Sequence, residues 1–133
     1  MSGYTIVTRE EAPDFMAQYP GYGEMRFFVE ASEAEQLAFT WRAMPAGTGG
    51  KGSYGHRHSF QEEIYFVIKG RLQFKLGDDV IEAGPHTLVR VAPDVFRSVH
   101  NDGPEEAEMV ICSHKSTGEE DELETTPDFW PSE

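Results

Sequence analysis

Between Gly50 and Gly70 the chain carries His56 and His58, then Glu63, with glycines at both ends of the stretch. Side chains alternate faces along a strand, so His56 and His58 point the same way if this piece is extended. Glu63 opens the run Glu63-Ile-Tyr-Phe-Val-Ile-Lys69, which is rich in β-branched and aromatic residues and reads as a second strand. A short turn at Ser59 to Gln61 would fold that strand back beside the histidines. Two imidazoles and one carboxylate would then converge on one point. That donor set holds Fe(II) with open positions and also suits other divalent metals. A His-x-His pair alone is commonly surface decoration, so the weight rests on the whole spacing.

A chain of 133 residues suits one domain, and 9 Phe, 5 Tyr and 2 Trp can fill a compact core. No stretch approaches the ~18 consecutive apolar residues that a membrane-spanning helix needs. The N-terminus shows no charged region followed by an apolar core, so no signal peptide is read there. Cys112 is the single cysteine and sits in the apolar run Met109-Val-Ile-Cys112, as a small buried filler would. A reducing, cytoplasmic setting is the expectation. Net charge is −13, from 24 acids against 11 bases, which repels nucleic acid and anionic membranes. The acidic runs Glu119-Glu-Asp-Glu-Leu-Glu124 and Glu105-Glu106 with Glu108 read as solvated faces.

Taken in order, residues 1–24 form an irregular arm, punctuated by Pro13, Pro20, Gly21 and Gly23, with a helical turn over 10–17. Met25 to Val29 reads as a strand, and 31–35 as a turn. From Gln36 to Met44 the pattern alternates, with Leu37, Phe39, Trp41 and Ala43 on one face and Gln36, Thr40 and Arg42 on the other, as in a half-buried strand. Beyond Gly70, strands follow at 72–76, 80–82, 87–91, 95–101 and 108–113, with a hairpin turn at Gly77-Asp78-Asp79. On the strand from Glu63, Tyr65 and Val67 share the inward face, and Ile64, Phe66 and Ile68 point out. Three large apolar side chains are rarely left to water as a patch, so the arm or a second copy should cover them. Short strands with such frequent turns argue for an all-β barrel or sandwich, with no internal repeat. Past residue 113 the tail is acidic until Thr126-Pro-Asp-Phe-Trp-Pro131, which should dock on the barrel or on a second subunit.

Gly50, five residues, His56, one residue, His58, four residues, Glu63, six residues, Gly70: this spacing resembles the first sequence motif of the cupin family, without a gap or a mismatch. The resemblance implies one all-β domain over 1–133, a single antiparallel jelly-roll barrel at 25–113 flanked by the 1–24 arm and the 114–133 acidic tail. It also implies a homodimer. Ala92-Pro93-Asp94-Val-Phe-Arg97-Ser-Val-His-Asn101 resembles the family's second motif. Pro93 and Asn101 fall where expected, but Asp94 holds the turn's glycine position and Arg97 the position of a third histidine ligand.

Arginine has no lone pair to donate and does not deprotonate in a protein. Arg97 would repel a divalent cation, pair with Glu63, or grip an anionic ligand. His100 lies three residues beyond it and should face away, absent a β-bulge. His86 should be exposed at a turn and His114 solvated. Two functional readings follow. In one, His56, His58 and Glu63 hold one divalent metal (Fe, Mn, Ni or Zn), Arg97 binds a small anionic substrate, and Tyr65 is a candidate proton donor or wall residue, in an oxygenase or isomerase. In the other, the same pocket is a metal-free binding or sensing module. A purely structural dimeric barrel is the third alternative. Fold alone does not choose among them.

Overall fold

Ten strands form two five-stranded antiparallel sheets in a computed structural model that describes residues 3–115 and 121–132. They are β1 (Glu24–Phe27), β2 (Leu37–Met44), β3 (Gly55–His58), β4 (Glu63–Lys69), β5 (Leu72–Leu76), β6 (Asp79–Ala83), β7 (Leu88–Val91), β8 (Arg97–His100), β9 (Ala107–His114) and β10 (Leu123–Thr126). One sheet runs β1-β2-β9-β4-β7 and the other β10-β3-β8-β5-β6. After β2 the chain crosses from one sheet to the other at nearly every connection. The exception is the β5–β6 hairpin, where Leu76 pairs with Asp79. Gly77 takes a φ of 61° there, which a tight two-residue hairpin favours and a Cβ would penalise.

The core lies between the sheets. Tyr65 and Val67 from β4 meet Leu72 and Phe74 from β5, Val91 from β7 and Met109 from β9. The period-2 pattern of β4 therefore reads correctly: Tyr65 and Val67 are buried, while Ile68 on the opposite face is exposed. The alternation in β2 has the opposite polarity to a core-facing reading. Leu37 and Phe39 are 60% and 43% exposed, whereas Arg42 and Met44 on the other face are buried. Periodicity fixes the two faces of a strand but not which of them turns inward.

Register extends the apolar face of β2 across the outside of its sheet. Trp41 stands opposite Val110, Val110 opposite Phe66, and Phe66 opposite Leu88. In the next row Phe39, Cys112 and Ile64 are neighbours. The strand expected to reach Val29 stops at Phe27, because Val29–Ser32 form a single α-turn closed by Glu33 at φ 60°.

The tail departs most from expectation. Leu123–Thr126 is a strand that pairs with β3, with Leu123 opposite His58 and Thr125 opposite His56. Trp130 beyond it is 4% exposed and stacks edge-on against His100 at 5.9 Å. Phe129 lies on Gly55, where any Cβ would clash with its ring. The aromatic end of the tail thus docks on the sheet, as its composition predicts.

Candidate metal centre and ligand cavity

Three strands from both sheets deliver the site. β3 contributes His56 and His58, β4 contributes Glu63 and Tyr65, and β8 places Arg97 directly opposite His56. One oxygen is the focus. Glu63 Oε1 accepts from the Tyr65 hydroxyl at 2.7 Å and from Arg97 Nη1 at 3.0 Å. His58 Nε2 lies 3.7 Å from the same oxygen and His56 Nε2 3.8 Å. A donor atom of His56, of His58 and of Glu63 all lie within 4.8 Å of one another, close enough to hold one ion.

The electrostatics follow from this crowding. Burial pushes the Glu63 carboxyl up, but the neighbouring His56, the Tyr65 hydroxyl and the Arg97 charge outweigh it and hold the group below its usual value. Burial and the adjacent Glu63 charge push the Tyr65 phenol well above its ordinary value, so it stays protonated as a donor. Arg97 is fully buried. Its Nη2 donates to Ala92 O at 2.6 Å, so the side chain is anchored between Glu63 and the backbone.

Residues 119–120 of the acidic run lie outside the described residues, but Asp121 corrects the reading of that run as solvated. Its side chain is buried against His58, with Oδ2 2.7 Å from His58 Nδ1. Its Oδ1 accepts from the backbone of Phe60 at 2.7 Å and Gln61 at 2.8 Å. Burial pushes the Asp121 carboxyl up, and the bonds from His58, Phe60 and Gln61 bring it below its ordinary value. The ionised carboxylate favours the hydrogen on Nδ1 of His58, the tautomer in which a neutral ring carries its lone pair on Nε2 and the arrangement by which an outer carboxylate orients a metal-ligating histidine. His58 Nε2 is buried and has no hydrogen-bond partner among the described residues. A buried, unpartnered imidazole nitrogen facing a carboxylate oxygen and a second imidazole is a donor set that fits a divalent metal.

His100, His86 and His114 stand outside the cluster. His100 is buried on the other side of β8 from Arg97, and its Nδ1 accepts from Lys51 N at 3.3 Å. His86 and His114 are exposed, as expected. Sequence reasoning missed two residues here: Asp121, whose partner is 63 positions away, and Arg42, which lines a cavity of about 700 Å3 adjoining His56, Tyr65 and Arg97.

The Cupin domain family matches residues 42–113, and with the fold and the first-motif cluster now in place, the chain belongs to the cupin family. Solved structures agree on the fold. A cupin protein from Bacteroides fragilis superposes with a TM-score of 0.69 at 18% identity, covering 88% of each chain. A polyketide cyclase from Streptomyces resistomycificus gives 0.66 at 16% identity, over 82% of this chain and 78% of that one. A sugar phosphate isomerase from Silicibacter pomeroyi gives 0.64 at 16% identity, over 85% and 69%. No curated protein matches the sequence.

Proposed function

We propose that this protein binds one first-row divalent metal, Fe, Mn, Ni or Zn, through His56, His58 and Glu63, and a small anionic organic ligand in the adjoining cavity. The observation that carries the reading is His58 Nε2, buried and unpartnered, 3.7 Å from Glu63 Oε1. A metal there would supply Lewis-acid polarisation of a ligand oxygen. The chain's own residues define the rest. Asp121 orients His58, Tyr65 keeps its proton beside Glu63, and Arg97 fixes the carboxylate. An oxygenase or an isomerase acting on a small anionic substrate is the enzyme class that this arrangement serves, and one solved neighbour is named a sugar phosphate isomerase.

Arg97 favours a second reading. Its 3.0 Å bond to Glu63 already neutralises the carboxylate that a cation needs, as in a metal-free binding or sensing module built on the same cavity. Metal analysis decides. Dialysed protein should retain close to one equivalent of metal and lose it in His58→Ala. A metal-free wild type that takes up none of Mn, Fe(II), Ni or Zn leaves the second reading standing.

We further propose one cupin domain assembled as a homodimer, with a second copy on the apolar rows running from Trp41 to Leu88. An apolar sheet face with charges at its margins, Arg90 opposite Ile64, Arg9 over Trp41 and Glu108 bonded to Trp41, suits a self-complementary two-fold contact. Light scattering at micromolar concentration should give twice the 15.0 kDa chain mass, and Phe66→Glu should return it to the monomer. No helix among the described residues is long and apolar enough to cross a membrane, and the half-buried thiol of Cys112 fits the cytoplasmic setting proposed here.

A further inference from the structure

The cavity beside His56 has a charge pattern that the metal cluster does not explain. The chain holds 24 acids against 11 Lys and Arg. Yet among the described residues no Asp or Glu lines this cavity, whereas Arg42 and Arg97 do. The two guanidiniums differ in kind. Arg97 is paired with Glu63. Arg42, 8% exposed, uses only Nη1, which donates to the carbonyls of Tyr22, Glu24 and Ala43 at 2.8, 3.0 and 2.6 Å. Its Nε and Nη2 make no hydrogen bond to a described residue, and no described carboxylate forms an ion pair with it. Burial disfavours its charge, and the more distant Asp14 offsets this only in part. A guanidinium does not shed its proton, so Arg42 stays a largely desolvated cation with no described carboxylate in ion-pair contact.

The rest of the wall is apolar and pliable. Met16, Met25, Met44 and Met109 line it, four of the chain's 5 methionines. Methionine is unbranched and polarizable, and it moulds to flat or irregular apolar ligands, with favourable sulfur–ring contacts. The arm adds Phe15, Tyr19 and Tyr22, each left about half exposed around the cavity. Aromatic rings left open beside a concave apolar surface are covered when a ligand occupies it.

We infer that the cavity binds a small aromatic carboxylate, its carboxylate paired with Arg42 and its ring body laid against the methionine wall. This rests on the reading of the cavity as a ligand site and is independent of whether the metal is present. The test is calorimetric titration of 2-naphthoate, its neutral analogue 2-naphthylmethanol, and acetate, into both as-purified and chelator-treated protein, with metal content measured on the same samples.

Naphthoate should bind at least about tenfold tighter than the alcohol or acetate, the range expected of a desolvated charge-assisted pair. Arg42→Gln should abolish that preference and leave the alcohol within about twofold of wild type, since the apolar wall is untouched. Naphthoate binding no better than the alcohol, or a preference that survives Arg42→Gln, overturns the inference. If Arg42→Gln does not fold, Ser53→Asp decides, because Ser53 lines the cavity and its hydroxyl holds no described partner. A carboxylate there should weaken naphthoate selectively, and unchanged naphthoate binding refutes the proposal. Naphthoate that binds through Arg42 in protein that holds no metal as purified and takes up none of Mn, Fe(II), Ni or Zn refutes the metal reading alone. Metal without naphthoate binding refutes this one alone.

Discussion

Arg97 is fully buried and donates from Nη1 to Glu63 Oε1 at 3.0 Å, so a guanidinium stands where the family's second motif supplies an imidazole. A cation entering the cluster meets this positive charge and competes with it for the carboxylate. Arg97→His removes the charge and adds a lone pair. Affinity for Mn, Fe(II), Ni or Zn should rise roughly 10–100-fold, the scale on which even outer-sphere changes act. His56→Ala in that background should cancel the gain. Chelator competition after dialysis measures both. If a natural protein already loaded with tightly held metal is indifferent to Arg97→His, the guanidinium does not oppose the ion.

His58 offers a cleaner handle, because Asp121 touches it without belonging to the cluster. Asp121→Asn keeps Oδ1 as an acceptor for Phe60 and Gln61 but turns an amide towards His58 Nδ1. The amide NH2 donates, which favours the hydrogen on Nε2 and closes the lone pair that the cation needs. Metal affinity should fall about 10–100-fold. Thermal stability should change far less than for Asp121→Ala, which strands two backbone N–H groups. A merely structural Asp121 would show the reverse order, with stability lost and metal affinity intact.

What could be read from the sequence divides along a physical line. His56, His58 and Glu63 were legible because strand alternation and a short turn are local, and local geometry alone aligns them. Arg97 was legible through its place after Pro93. The inward face of β2 was not, since Leu37, Phe39 and Trp41 carry a period without a direction, and the partner sheet decides. Asp121 was hidden for another reason: a carboxylate in an acidic run has no local mark of burial, and its partner lies across the chain. The β10 strand was masked likewise, because Leu123-Glu-Thr-Thr126 is exposed on three of its four residues and gains its order from β3.

The pH dependence of stability should carry a signature from His100. Burial lowers its pKa, Asp102 raises it in part, and Lys51 lowers it further, both by charge. Its Nδ1 lone pair accepts from Lys51 N, a bond that protonation at that nitrogen would break. The folded pKa thus lies below the unfolded one, and the unfolded chain binds more protons in the window between them. Stability is fully present above the ordinary histidine range near ~6.5 and is lost as pH falls through the lowered folded value, by at most ~1.4 kcal/mol per pH unit for one proton. Melting between pH 7 and pH 5 should decline less steeply in His100→Gln than in wild type. Parallel declines would assign the acid sensitivity to other groups.

The tail ties stability and site together, and one truncation tests both. Ending the chain after Lys115 removes β10 from the edge of β3, strips Trp130 from His100, and uncovers Gly55 where Phe129 sits. Loss of the buried tryptophan alone is worth about 3–5 kcal/mol by analogy with large-to-small core changes, so the midpoint of urea unfolding should drop clearly. The same cut deletes Asp121, and metal affinity should fall with it. Trp130→Ala separates the two effects, because it lowers stability while leaving Asp121 on His58. A variant with the tryptophan change but unaltered metal binding, beside a truncation that loses both, would place the orienting role in Asp121. Unchanged melting after truncation would instead mean that the tail contributes no packing to the sheet.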